Sequence, residues 1–181
     1  CFIWIYMAEN KFKIIMLGDF SVGKTSLIRR YVENAFDEAY LTTIGVRVSQ
    51  KSVQLDNNRP DANLLIWDIA GNDGLSTVIH QYIKGSSGAI ITGDLTRKET
   101  LVYMNKYHAL FKEICPGKPV VFALNKIDLL NGEAVPEYVT RFRKEVEETT
   151  GFRVIFSSAK TGNAVEEIFS EIASLMTVAH D

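Results

Sequence analysis

The sequence predicts an α/β domain: a six-stranded, mostly parallel sheet with one antiparallel edge strand and helices on both faces. Three observations carry this. Apolar runs of strand length alternate with segments of helical period through the C-terminal two thirds of the chain. Two runs near the N-terminal side, Val46 to Leu55 and Asn63 to Asp68, are joined by the turn-forming Asp56-Asn57-Asn58-Arg59-Pro60-Asp61 and read as an antiparallel hairpin. The first strand runs straight into a glycine-containing loop and then a helix. With 181 residues, 46% apolar and 23% charged, the chain is of a size and composition to bury one core without disulfides. A net charge of −2 gives no electrostatic footprint for nucleic acid.

Taken in order, Phe12 to Leu17 reads as a buried strand and Thr25 to Val32 as an amphipathic helix. Phe36 to Gly45 has no period and reads as a loop. Val46 and Val48, then Val53 and Leu55, alternate with a slip that suggests a bulge. Ala89 to Asp94, Val120 to Asn125 and Phe152 to Ser157 are further strands, separated by helices over Lys98 to Ile114 and about Pro136 to Thr149. A last helix covers Ala164 to Met176. Residues 1–10 read as a leader or as a stretch added ahead of the natural chain, and 177–181 as a short tail, with the domain between them over 11–176. Met7 looks like a natural start, and Cys1 to Tyr6 are apolar but too few to span a bilayer. Cys1 and Cys115 suggest no disulfide framework, which fits a reducing cytoplasm.

Between the first strand and helix, Gly18-Asp19-Phe20-Ser21-Val22-Gly23-Lys24-Thr25 matches the phosphate-loop template G-x-x-x-x-G-K-[ST] in the strand–loop–helix setting it requires. Such a loop turns backbone N–H groups of Ser21, Val22 and Gly23, and those of Lys24, Thr25 and Ser26 at the helix N-terminus, toward phosphate oxygens. Lys24 is expected to reach the β- and γ-phosphates and Thr25 to ligate Mg²⁺. Asn125-Lys126-Ile127-Asp128 selects the base. The Asp128 carboxylate can accept from both N1–H and the exocyclic amine of guanine, whereas adenine offers a lone pair at N1 and leaves it unpaired. Lys126 is expected along the base plane, Asn125 as a tie to the phosphate loop, and the Ala159 N–H in Ser158-Ala159-Lys160 as a donor to the guanine carbonyl. A small-metabolite kinase would not explain residues 125–128. His80, His108 and His180 lack any second ligand or nucleophile nearby in sequence, and Glu145, Glu147 and Glu148 read as a solvated helix face.

On these motifs, with Thr43-Ile44-Gly45-Val46, Trp67-Asp68-Ile69-Ala70-Gly71 and Ser158 to Phe169, the chain resembles the small GTPases of the Ras superfamily, and most of all the Rab branch. The resemblance implies a G domain binding GTP or GDP with Mg²⁺ and acting as a molecular switch in vesicle trafficking. It implies that Phe36 packs on the base and that the Gly71 N–H contacts the γ-phosphate. Thr43, preferred over Thr42, senses both Mg²⁺ and γ-phosphate, and Asp68 holds Mg²⁺ through water. Lys24, Thr43 and the residue at 72 form the catalytic set. Exchange factors, GTPase-activating proteins and effectors would act through loops 36–48 and 68–84, in the cytoplasm or on the cytosolic face of endomembranes. Membrane attachment would need a lipidated tail, and residues 177–181 carry no cysteine.

The chain departs from that family pattern at two places that matter to hydrolysis. Asn72 stands where a glutamine orients the attacking water, and Phe20 occupies a loop position usually held by glycine or another small residue. Both point to slow GTP hydrolysis, or to a pseudo-GTPase held in one state and read by partners. Gly74-Leu75-Ser76-Thr77 lacks an expected Arg-Phe pair and Val48 replaces a Phe. Trp67 remains, so an effector-reading apolar patch is only partly kept.

Overall fold

The first strand shows how the sheet is built. In β1 (Lys11–Gly18), Ile14 and Met16 point into one hydrophobic cluster, while Ile15 and Leu17 point into another on the opposite face. A strand buried on both sides has no reason to alternate apolar with polar, hence the continuous apolar run. The computed structural model describes residues 11–32, 38–41, 45–55, 61–69 and 77–178. After β1 come α1 (Lys24–Val32), β2 (Glu38–Leu41), β3 (Val46–Val53), β4 (Ala62–Ile69) and α2 (Thr77–Ile83). They are followed by β5 (Gly88–Asp94), α3 (Lys98–Ile114), β6 (Val120–Asn125), a 3₁₀ turn (Ile127–Leu130), α4 (Glu137–Thr150), β7 (Val154–Phe156) and α5 (Val165–Val178).

The sheet order is β2-β3-β4-β1-β5-β6-β7. All pairs from β4 to β7 are parallel, and β3 is antiparallel to β4. The six expected strands are therefore present with β3 reversed. The stretch read as a loop adds a seventh: β2 pairs antiparallel with the outer side of β3 from Glu38↔Ser49 to Leu41↔Val46, so the reversed strand lies one position inside the edge. Four residues give too short a pattern for alternation to be legible.

The slip in β3 is not a bulge. Its pairing with β4 runs one to one from Val46↔Ile69 to Val53↔Ala62. Ser49 and Val53 are buried on the face where Lys51 covers Tyr31 of α1, its Nζ 3.8 Å from the ring centroid, so the buried side holds a serine and a lysine stem instead of apolar residues. Lys51 Nζ also donates to the Tyr31 carbonyl.

Helices α1 and α5 cover one face, with Tyr31 and Phe169 stacked at 3.9 Å and 5°. Helices α2, α3 and α4 cover the other through Ile79, Ile83, Met104, Phe111, Phe142 and Val146. Helix α2 was not read from the sequence, because at seven residues it is barely two turns. Strand β7 is shorter than the predicted Phe152 to Ser157. Among the described residues no helix is long and apolar enough to cross a membrane. The hairpin turn at 56–60 lies outside the described residues.

Candidate nucleotide site

Parallel strands bring their C-terminal ends to one edge of the sheet, where ligands of open α/β sheets bind. Here the register sets Gly18 beside Thr92, Met16 beside Asp68 and Asp94 beside Asn125, so the ends of β1, β4, β5 and β6 open into one cleft. The loop leaving β1 can close over it because two positions carry no Cβ. At Gly18 (φ +151°) a Cβ would sit 2.3 Å from the Thr92 carbonyl oxygen, and at Gly23 (φ +100°) 2.3 Å from Asn125 Nδ2. Both are non-bonded overlaps that nothing but glycine avoids.

Lys24, the first residue of α1, is buried, and its ammonium donates to the carbonyls of Gly18 at 2.9 Å and Asp19 at 3.0 Å. Burial lowers its pKa, and the Asp68 and Asp19 carboxylates pull it back up. Next to it, the Thr25 hydroxyl donates to Asp68 Oδ2 at 2.6 Å. Asp68 Oδ1 is buried and has no hydrogen-bond partner among the described residues. An uncompensated buried carboxylate oxygen costs about 1–3 kcal/mol or more. Beside a hydroxyl it forms a hard-oxygen donor set of the kind Mg²⁺ takes, so these residues fit that ion.

Toward the other end of the cleft the polar groups satisfy one another. Asn125 is buried, its Nδ2 donating to the Val22 carbonyl at 3.0 Å and its Oδ1 accepting from the Ala159 N–H at 3.0 Å. The predicted tie between this loop and the phosphate loop is thus in place. The sequence reading gave the Ala159 N–H to a guanine carbonyl; the structure gives it to Asn125, whose amide oxygen is buried and requires a donor. Lys126 adopts a left-handed conformation (φ +73°), and its Nζ donates to the Ser21 carbonyl at 2.7 Å and pairs with Asp94 Oδ2 at 2.7 Å. Its stem thereby spans from the base loop to the phosphate loop. Asp128 Oδ1 accepts from the Ser158 hydroxyl at 2.6 Å, and that hydroxyl oxygen also accepts from the Thr161 N–H.

The structure therefore gathers Ser21, Val22, Gly23, Lys24, Thr25, Asp68, Asn125, Lys126, Asp128, Ser158 and Ala159 into one network. Ser26 lies in the first turn of α1 with its side chain exposed, and Lys160 is exposed beyond the network. Phe36, Thr42, Thr43, Gly71 and Asn72 lie outside the described residues. Two contributors were missed. Asp94 ends β5 almost fully buried and anchors Lys126. Burial pushes its pKa up, but the hydrogen bonds from Lys126 and from the Thr96 hydroxyl and N–H outweigh it and leave the pKa lowered. Arg30, in the last turn of α1, donates to the carbonyls of Ala159 and Lys160 and holds the 158–160 loop. The signal for Asp94 was a carboxylate ending a buried strand in register with Asn125. For Arg30, whose partner Ala159 is 129 residues away, no local signal exists. His108 packs edge-on to Phe122 and Phe152, with no ligand cluster around it. No metal-binding group of three or more His, Cys, Asp or Glu exists among the described residues.

Comparison with known proteins agrees with this geometry. The family model described as "Ras family" matches residues 13–178. The chain belongs to the Ras family of small GTPases. Its sheet, phosphate loop and base-binding loops are those of a P-loop G domain. Among curated relatives it is 34% identical over 167 residues to Ras-related protein Rab-1 of Theileria annulata, covering 91% of this chain and 74% of that protein. It is also 34% identical over 168 residues to Ras-related proteins Rab-22A of Canis lupus familiaris and Rab-31 of Homo sapiens, covering 92% of this chain and 84% of each relative. Members of this family bind guanine nucleotide with Mg²⁺ and switch between GTP and GDP states, and the Rab-like character expected from the motifs stands.

Proposed function

We propose that this G domain is a Rab-like GTP/GDP switch with slow intrinsic hydrolysis, working in vesicle trafficking. The observation that carries nucleotide binding is Asn125, which holds the phosphate loop through Val22 and the 158–160 loop through Ala159 at once. One residue thus sets the distance between the phosphate and base ends of the cleft. Asp128, steadied by Ser158, would accept from the guanine edge, and Lys126 would lie beside the base. Thr25, Thr43 and, through water, Asp68 would hold Mg²⁺, whose charge offsets that of the β- and γ-oxygens. Thr43 and the Gly71 N–H would sense the γ-phosphate, and Phe36 would cover the base.

Slow turnover is supported by two residues. Asn72 carries an amide one methylene shorter than the glutamine that orients water, and Phe20 is 63% exposed at the mouth of the phosphate loop, where a partner's arginine would enter. Partners are expected at loops 36–48 and 68–84. Trp67, with Tyr82 at 6.3 Å, supplies an aromatic pair at that surface.

The test is single-turnover: load the protein with GTP and Mg²⁺ and follow the bound nucleotide by chromatography. GTP is expected to persist for hours, and Asn72→Gln to speed its conversion about tenfold. Conversion of the wild type at a rate the glutamine does not raise would remove the case for impaired chemistry. Persistence of GTP that no substitution at 72 or 20 relieves would favour a pseudo-GTPase read by its partners in one state.

A further inference from the structure

Six consecutive carbonyls of the phosphate loop, Gly18 to Gly23, each accept a hydrogen bond. Lys24 Nζ takes those of Gly18 and Asp19, Lys126 Nζ that of Ser21, Asn125 Nδ2 that of Val22, and the Leu27 N–H that of Gly23. The remaining one, Phe20, is taken by Arg97 Nη1 at 3.0 Å. In a planar trans peptide the N–H lies opposite the C=O. Fixing the Phe20 carbonyl therefore fixes the plane of the Phe20–Ser21 peptide and with it the direction of the Ser21 N–H. Of the side-chain donors among these, Arg97 alone belongs to neither the phosphate-loop motif nor the 125–128 motif.

Its guanidinium is also well braced. Arg97 Nη2 lies 3.5 Å from Asp19 Oδ2, and Nε donates to Glu99 Oε1 at 3.1 Å. Its backbone is fixed at the start of α3. The Arg97 N–H donates to the Asp94 carbonyl at 3.0 Å, and the buried Thr100 hydroxyl donates to the Arg97 carbonyl at 2.7 Å. The planar fork of an arginine presents Nη1 to the carbonyl and Nη2 to the carboxylate at fixed angles, a geometry that the single ammonium of a lysine does not impose.

We propose that Arg97 is a positioning residue for nucleotide binding: by holding the Phe20 carbonyl and the Asp19 carboxylate together, it keeps the Ser21 N–H aimed at the phosphates. The assignment rests on the guanine-nucleotide reading above. Without the guanidinium, the Phe20–Ser21 peptide is free to rotate, and the phosphates lose a donor. Phe20 would then also lose the hold that presents its ring at the mouth of the loop.

The experiment follows release of a fluorescent GDP analogue, chased with excess GDP, from wild type, Arg97→Ala and Arg97→Lys. Arg97→Ala is expected to release nucleotide about five- to tenfold faster, the modest range appropriate to a charged hydrogen bond partly open to water. Arg97→Lys, which keeps the charge without the planar fork, is expected to fall between. Asp19→Asn should speed release in the wild-type background and have little further effect in Arg97→Ala, a coupling that a merely structural arginine would not show. Wild-type release rates in Arg97→Ala, with nucleotide well retained by the wild type, overturn the clamp alone. A wild type that retains no guanine nucleotide overturns the underlying reading and the clamp with it.

Discussion

At the base end of the cleft, Asn125, Lys126, Asp128 and Ser158 hold one another, the phosphate loop and Asp94 through hydrogen bonds of 2.6 to 3.0 Å. At the proposed metal end, Thr25 occupies one oxygen of Asp68, while the other is buried without a partner among the described residues. The base end is stabilised by its own contacts, so its shape is set by the fold. The metal end keeps an acceptor that is uncompensated among the described residues, so a cation would relieve a cost that folding imposes there. On the proposed reading, base selection is pre-organised, whereas the metal end would gain stability from its ligand.

The largest expected effect tests the base end. Asp128→Ala should weaken GDP binding about 10³-fold, roughly 4 kcal/mol, because buried guanine donors lose a charged acceptor. Equilibrium competition with and without Mg²⁺ should give the same factor; a loss confined to Mg²⁺ buffers would break the division between the two ends.

A smaller effect tests the metal end. Asp68→Asn should speed GDP release about tenfold in Mg²⁺ and leave it unchanged in EDTA, since the carboxylate acts through the cation. Equal acceleration in both conditions would mean that Asp68 supports the loop directly.

The smallest effect concerns the anchor behind Lys126. The folded-state pKa of Asp94 is depressed, so its contribution to stability is present above the ordinary carboxylate range and is lost as pH falls through the folded value. Asp94→Asn should therefore cost about 1–2 kcal/mol near neutral pH, discounted because Lys126 is partly exposed. That cost should shrink as the pH drops below about 4, the ordinary carboxylate range. Denaturant unfolding of both proteins across pH measures it, and a difference independent of pH would assign the loss to packing.

Legibility in the sequence followed the range of the interaction. Helix α3 was read at its observed bounds because 17 residues of helical period leave little ambiguity. Strand β2 and helix α2 were missed because four and seven residues are too few to show a period. The slip in β3 does not mark a bulge, because a buried serine and a lysine stem lying over Tyr31 take the inward positions where alternation expects apolar residues. The side chains that the structure gathers at the cleft, Lys24, Thr25, Asp68, Asn125, Lys126, Asp128 and Ser158, stand in short motifs of fixed local spacing, which is why the sequence names them.

The sequence by itself determined the alternating fold, the phosphate-loop and guanine-reading motifs and the two departures at Phe20 and Asn72, because each is written in chemistry within a few residues. The tertiary structure alone decided what braces those motifs. Asp94 behind Lys126, Arg30 on the 158–160 loop and Arg97 on the Phe20 carbonyl meet partners 32, 129 and 77 residues away. Such pairs follow from the order in which strands lie in the sheet, and no local pattern records that order.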